Sequence, residues 1–268
     1  MDGDKARAFG IDFGGSGIKG APVDLATGEF AGERVRIETP AGATPEKVAG
    51  VVAEVLERAG AAPGSPVGIT VPAVVLHGVV RSAANIDRSW LGVDADGLFT
   101  ERLGRPVTVM NDADAAGLAE VRYGAAKGQP GLVIVTTLGT GIGSALVYDG
   151  VLVPNSELGH LEVDGHDAES RAANSVREKK DLSWQAWANA LTRYYRTLEL
   201  LFTPDLFVVG GGVSKHAEKF LPLVDVATPM VPATLKNTAG IVGAALLASL
   251  AEDHEASASV PAFHRHDA

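Results

Sequence analysis

The sequence contains no cysteine, which excludes a disulfide framework and any metal site built on thiolates. No apolar run approaches the roughly 20 residues that span a bilayer. The opening stretch MDGDKARAFG is polar, and the apolar run after it reads as a strand, so neither a signal peptide nor a membrane partner is expected. Positive charge is also short. With 23 Lys and Arg against 33 Asp and Glu, the net charge is −10, which argues against general nucleic-acid binding but leaves room for a local basic groove. What is present is the composition of a soluble globule: 268 residues, 46% hydrophobic, enough for one large or two modest domains. A cytoplasmic location is the simplest expectation. The end of the chain, AEDHEASASVPAFHRHDA, is polar and lacks periodicity. Residues 253–268 are therefore expected to form a disordered tail, with His254, His264 and His266 solvated rather than metal-binding.

The stretch VTTLGTGIGSALV, Val135 to Val147, sets three glycines between two apolar runs. A Walker loop needs a Lys-Ser/Thr pair after the last glycine, and GIGSALV has none. A dinucleotide fingerprint needs glycines that open a helix, whereas SALVYDGVLV suits a strand and a hairpin at YDG. The pattern is strand, glycine turn, strand, which a plain tight hairpin would also satisfy. The chain does this twice, however. AFGIDFGGSGIKGAPVD, Ala8 to Asp24, is again strand, glycine turn, strand, with Asp12 at the turn and Lys19 beyond it. After the first turn the pattern predicts a third strand over Phe30–Ile37, a helix over Pro45–Ala59, a strand over Val67–Val71, the strand VTVM, and a helix from about Ala113. After the second it predicts a third strand over Val151–Pro154, a helix over Ser183–Phe202, the strand LFVVG, and another helix. A repeated β-β-β-α-β-α unit implies two similar lobes facing across a cleft. Two glycine turns facing that cleft would offer backbone N–H groups to phosphates from both sides.

These residues carry a resemblance that runs from about Phe9 to Ala251. DFGGSGIK, TTLGTGIGSAL and GGGVS look like the two phosphate motifs and the adenosine-side motif of the actin-like ATPase superfamily. With NDADAAGLAE and ELGHLEV between them, the order resembles the ROK (repressor, open reading frame, kinase) family of sugar kinases. RSAANIDRSW, NDADAAGLAEVRYGA, NSELGHLEV and NTAGIVGAA are similar to its polyphosphate glucokinase branch. The resemblance implies a two-lobed α/β fold of the actin-like (ribonuclease H-like) kind. Residues 1–112 plus 238–252 would form a small lobe, with the final helix, from about Thr238 to Leu250, returning to it. Residues 113–237 would form the large lobe. It also implies glucose phosphorylation at O6, with polyphosphate and also ATP as donors, Mg²⁺ as cofactor, and a homodimer.

Residue by residue, the resemblance assigns Gly14, Gly15, Ser16, Gly17 and Lys19 of the first turn, and Gly139, Thr140 and Gly141 of the second, to phosphates. Asp12 would orient a hydrated Mg²⁺, although an Asx turn would use the same residue. Asp112, at the end of the strand VTVM where open α/β sheets bind ligands, would be the general base and Asn111 a sugar ligand; helix capping by Asp112 or Asp114 is the plainer use of those carboxylates. Phosphoryl transfer asks mostly for positioning, so an ordinary carboxylate pKa suffices for the base. In ELGHLEV, Gly159 disfavours a helical Glu-x-x-His pair, and an extended end would put His160 and Glu162 on one face. Such a cluster suits a polyol, and the resemblance assigns Glu157, His160 and Glu162 to sugar hydroxyls; a solvated turn is the alternative. Asn85 would reach the sugar from the first lobe, while the family's usual Pro-Gly upstream of it reads Pro72-Ala73. Many family members follow the Gly-His with a Cys-x-Cys-Gly cluster holding a structural zinc. This chain reads DGHDAESRAANSVREKK there, so zinc by that route is excluded and something else must stiffen the segment.

A polyanionic donor needs a local cationic track. Lys19, Lys127, Arg171, Arg177, Lys179 and Lys180 are the candidates, the last four interleaved with Glu169 and Glu178 as on a solvated helix. Gly210, Gly211 and Gly212 of GGGVS leave space for a flat base and so keep ATP open as donor. Three rivals stand beside this reading: an ATP-only kinase for mannose or an N-acetylhexosamine, a sugar-responsive repressor, and an actin-like scaffold. The repressor would carry a DNA-binding helix-turn-helix before the first turn, where this sequence has about eight residues. The scaffold would have no use for the sugar cluster.

Overall fold

The computed structural model describes residues 7–84 and 86–258, and of 252–258 the backbone alone. Strands β1 (Arg7–Gly14) and β2 (Gly17–Asp24) form the first glycine hairpin, followed by β3 (Glu29–Phe30), β4 (Val35–Ile37), helix α1 (Pro45–Arg58) and β5 (Val67–Val71). A small hairpin of β6 (Val75–Leu76) and β7 (Val79–Val80) leads to α2 (Ala95–Leu103), β8 (Val107–Asn111) and α3 (Asp112–Tyr123). The second half begins with β9 (Leu132–Leu138), β10 (Ile142–Tyr148) and β11 (Val151–Val153). A hairpin of β12 (Glu162–Val163) and β13 (His166–Asp167) precedes the short helices α4 (Glu169–Ala172) and α5 (Asn174–Lys179). Then come α6 (Trp184–Phe202), β14 (Leu206–Gly210), α7 (Ala217–Phe220), β15 (Met230–Pro232) and α8 (Ala239–Ala258).

The two main sheets have one topology. The first runs β3-β2-β1-β5-β8 and the second β11-β10-β9-β14-β15. In each, the second strand pairs antiparallel with the first and the outermost antiparallel with the second, and the last two run parallel to the first. The central strands VGITV and LFVVG are buried at every position, as strands covered by helices on both faces must be. On the outer faces, α1 and α2 seal the first sheet around Trp90, Phe99 and Phe13, and α6 and α7 seal the second around Trp187, Tyr195 and Phe220. Helix α6 buries Trp187, Ala188, Leu191, Tyr194, Tyr195 and Leu198, a spacing of three and four that makes one apolar stripe, and Ser183 caps its N-terminus through Ala186 N–H at 3.1 Å.

Between the sheets lie α8 and α3. Helix α8 packs on β1 and β5 and against α3, which in turn packs on β10 and β9. The approach of α8 is close because a Cβ on Gly10 or Gly68 would collide with the carbonyls of Ile241 and Ala244, and one on Gly243 with that of Ala115. Small residues here let backbone meet backbone.

Two expectations need correction, and two elements are additional. The single third strand over Phe30–Ile37 is two strands, because Pro22 on β2 has no N–H to donate; β3 pairs with Val23 and Asp24, β4 with Ile18 to Gly20, and the Pro22 carbonyl accepts from Ala31 instead. Helix α8 runs to Ala258 rather than Leu250, into the stretch expected to be disordered, so polarity alone did not end it. Residues 259–268, with His264 and His266, and the side chain of His254 lie outside the described residues. Finally, the hairpin β6–β7 and helix α2 were not anticipated, although Asp94 capping Gly97 N–H at 2.9 Å and Gly104 at φ 63° mark both ends of α2.

Candidate active site

The carboxyl ends of β1, β5, β8 and β9, with the residue after β14, meet at one cleft of about 410 Å³. Gly14, Gly15, Pro72, Ala73, Ser82 and Asn111 line it from the first lobe, and Gly139, Thr140, Gly141, Glu157, His160, Glu169 and Gly211 from the second, with Asp112 at the seam. This is where a parallel sheet leaves its loops free to bind ligands. A Cβ on Gly15 or Gly139 would meet nothing within 4 Å, so these positions keep space open for a ligand.

Asp112 is the first residue of α3, but it does not cap the helix. Asn111 does: its Oδ1 accepts from Ala113 N–H at 2.8 Å and Asp114 N–H at 3.2 Å, and its Nδ2 donates to the Ala73 carbonyl at 3.1 Å. The Asp112 carboxyl is thereby left to the cleft. Burial, then the negative charges of Asp12 and Glu157, raise its pKa to about 7, against the pull of the Ala113 N–H. An ordinary carboxylate pKa would suffice for a base, and the surroundings of Asp112 raise its pKa above that range. Asp114, two residues on, faces the other way and is buried. Its Oδ2 accepts from Asn155 N–H at 2.8 Å, its Oδ1 has no partner, and desolvation raises its pKa to about 6.

At the first turn, Asp12 Oδ2 pairs with Lys19 Nζ at 3.1 Å and Asp12 Oδ1 accepts from Thr70 Oγ1 at 3.1 Å. Thr70, Asp12, Lys19 and Arg36 are successive register partners across β5, β1, β2 and β4, a polar row ending at an exposed guanidinium. Gly15 and Ser16 form the tip of the hairpin, and Ser16 and Gly17, the latter opening β2 opposite Gly14, lie outside the cleft lining. A single carboxylate whose oxygens are already bonded to Lys19 and Thr70 fits Mg²⁺ held through water, since that ion keeps most of its waters and takes its other ligands from phosphates.

The sugar cluster differs from its sequence reading. Leu158–His160 is a 3-10 turn, not an extended end, and brings His160 Nε2 to 4.0 Å from Glu157 Oε2. Gly159 permits this because a Cβ there would strike the carbonyl of Ile142. Glu162 is exposed on β12 and does not line the cleft. Glu169 does, and sequence reasoning placed it only among the charges of a solvated helix. Its Oε2 accepts from Ile142 N–H at 3.0 Å, just past the second turn. The segment without zinc is stiffened by hydrogen bonds. His160 Nδ1 and Asp167 Oδ2 lie 2.9 Å apart, Asp167 Oδ1 accepts from Glu169 N–H at 3.1 Å, and Asp164 and Gly165 both take positive φ to close β12 onto β13. Asp167 raises the pKa of His160 most, with Glu169 and Glu157 adding to it. The pKa of Glu157 rises chiefly through desolvation. His160, Asp167 and Glu169 present ligand atoms within 4.8 Å of one another, but each carboxylate already accepts a hydrogen bond.

Asn155 was also missed. Held at φ 60°, it accepts from Val75 N–H at 3.0 Å and donates to the Val75 carbonyl at 2.8 Å, joining the segment before Glu157 to the first lobe. Asn85 lies outside the described residues.

The basic candidates separate. Lys127 follows the far end of α3, a 12-residue helix and so about 18 Å from the Asp112 end. Arg171 opens onto a separate small cavity with Asn189, Arg193 and Tyr194. The Arg177 guanidinium lies 4.1 Å over the Trp184 ring and bonds Asn174 Oδ1 at 3.2 Å. Lys179 and Lys180 remain exposed at the end of α5, whose Ser175 is bonded to the second turn. In GGGVS, Gly211 at φ 85° lines the cleft against the Leu138 backbone, Gly210 ends β14, and a Cβ on Gly212 would meet open space.

Two lobes of one topology, joined at a cleft lined by paired glycine turns, make this an actin-like ATPase fold. The ROK family model matches residues 8–175, and the chain belongs to the ROK family. It is 56% identical over 247 residues to the polyphosphate glucokinase of Mycobacterium tuberculosis (strain CDC 1551 / Oshkosh), covering 92% of each chain. The crystal structure of the inorganic polyphosphate/ATP-glucomannokinase from Arthrobacter sp. strain KM superposes with a TM-score of 0.87 at 58% identity, covering 92% of this chain and 99% of the other. A ROK family glucokinase from Streptomyces griseus, in complex with glucose and AMPPNP, shares the fold at a TM-score of 0.76 and 24% identity, covering 90% of this chain and 98% of the other.

Proposed function

We propose that this protein transfers the terminal phosphoryl group of polyphosphate, or of ATP, to O6 of glucose, with Asp112 as general base. The observation that carries this reading is the division of labour at the start of α3. Asn111 takes the capping bonds, and Asp112, its pKa raised to about 7, is left facing both glycine turns and the sugar cluster. The similarity to polyphosphate glucokinases and to a polyphosphate/ATP-glucomannokinase supports the donor and the sugar.

In this mechanism Glu157, Glu169, His160 Nε2 and the remaining N–H of Asn111 Nδ2 pair the sugar hydroxyls. O6 attacks the terminal phosphorus as its proton passes to Asp112, and the bond to the shortened polyphosphate or ADP breaks. A carboxylate whose pKa has been raised holds that proton better than an ordinary one. The backbone N–H groups of both turns oppose the charge on the transferring oxygens. Mg²⁺, oriented through water by Asp12, would neutralise donor charge. Lys19, Lys179 and Lys180 are the cations proposed to meet the donor. Mannose as a second acceptor is suggested by the Arthrobacter relative. A homodimer in the cytoplasm completes the reading, and no helix among the described residues is long and apolar enough to cross a membrane.

Glucose 6-phosphate formation in Mg²⁺, with polyphosphate or ATP as sole donor, is the test. Product with both is expected. Product with ATP alone removes the polyphosphate claim, and product with neither removes the reading.

A further inference from the structure

Both glycine turns are tied from outside by side chains that the mechanism above does not use. At the first, Thr39 Oγ1 donates to the Gly14 carbonyl at 2.6 Å, and Arg36 Nη2 donates to the Ser16 carbonyl at 2.7 Å. At the second, Ser175 donates twice, from Oγ to the Thr140 carbonyl at 2.7 Å and from its N–H to the Gly139 carbonyl at 3.0 Å. Thr39, in the loop after β4, and Ser175, on α5, come from different elements of different lobes, yet each ties carbonyls of turn residues that line the cleft.

A trans peptide is planar, and its C=O and N–H point in opposite directions. Fixing the Gly14 carbonyl therefore fixes the direction of the Gly15 N–H, and fixing those of Gly139 and Thr140 fixes the N–H groups of Thr140 and Gly141. Glycine-rich turns rotate their peptide planes easily. A rotated plane would turn a carbonyl oxygen toward phosphoryl oxygens and replace attraction with repulsion.

We propose that Thr39 and Ser175 are donor-positioning residues, which hold the carbonyls of Gly14, Gly139 and Thr140 outward so that the amides that follow them face the phosphoryl groups. The proposal rests on the reading that the turns bind the donor. Steady-state kinetics of Ser175→Ala and Thr39→Val, with Ser175→Thr and Thr39→Ser as conservative partners, tests it. Loss of one orienting hydrogen bond should raise the KM for polyphosphate and for ATP about tenfold. The glucose KM should stay within about twofold, and the conservative variants should return to near parental values. Unchanged donor KM values, or sugar and donor KM values that rise together and are not rescued, would overturn the proposal. Calorimetric titration with tripolyphosphate separates the two levels. A parent that does not bind it removes the donor reading and this inference together, whereas a parent and variants that bind it equally remove the inference alone.

Discussion

The two lobes share one strand order and each turns its first two strands through glycine, yet they place charge differently. The first turn has an ion pair built into its strands, Asp12 with Lys19, braced by Thr70. The second has none in β9 or β10, and takes Glu169 from α4 and the hydroxyl of Ser175 from α5. Duplication supplied the geometry of two opposed turns, and what each lobe added supplied the chemistry. The first lobe holds the carboxylate suited to a cation, the second most of the groups suited to a polyol, both turns are shared by the donor, and Asp112 sits where they join.

The strongest way to break this division is Asp112→Asn. Turnover should fall at least roughly 10²-fold, and a protein indifferent to the change would belong with the scaffolds. The same carboxyl sets a pH dependence. With a pKa raised to about 7, Asp112 gains a proton as pH falls, so kcat/KM in the free enzyme should drop about tenfold per unit below pH 7. Bound Mg²⁺ would offset the charge of Asp12 and move that limb lower.

Stability should run the opposite way. The folded state holds the Asp112 proton more tightly than the unfolded chain, so between about pH 4 and 7 stability declines as pH rises. The inactive Asn variant should therefore melt higher than the parent at pH 8, by the equivalent of about 1–3 kcal/mol, and should match it near pH 4. Equal melting at both values would mean that the cleft solvates Asp112 more than its burial indicates.

The next largest effect should come from Asp12→Asn, with activity reduced about 10- to 100-fold and the glucose KM unmoved. A large rise in glucose KM would blur the line between the lobes. Within the second lobe, Glu169→Gln should raise the glucose KM about tenfold, while Glu162→Gln should leave it within about twofold. The reverse order would restore the residue that the sequence pattern favoured. The smallest effects should fall on the cations. Lys127→Ala should leave the polyphosphate KM within about twofold, and the double change of Lys179 and Lys180 to Ala should raise it a few-fold at low salt and less as salt is added.

The glycine turns, the duplication and the Asn111-Asp112 step were legible because they depend on local spacing. Glu169 was not. Its place in the cleft depends on a hairpin that folds α4 back toward the second turn, and the Asp164-Gly165 pair that closes this hairpin is a turn signal easily passed over between charged residues. Glu162 looked better because it stands two residues from His160, a relation that holds only in extended chain. The sequence offers capping to Asp112 or Asp114, and the resemblance assigns Asn111 only as a ligand; the cap falls to Asn111 because it stands one residue before α3, where its amide oxygen reaches the first free N–H groups. The break in the third strand was written in Pro22, but on the neighbouring strand, where a reading along the chain does not look.

The close fit of α8 on β1 and β5, glycine against carbonyl, has a consequence for biosynthesis. The strands of the first sheet leave the ribosome early, but the helix that covers their inner face is made after every element of the second. Until then the face that receives Ile241 and Val242 has no cover. The second lobe has all of its strands and its own outer helices before that moment, and should be the first unit to fold on the nascent chain. A chain stalled before residue 239 should therefore expose its N-terminal half to chaperones and proteases while its later half already resists them.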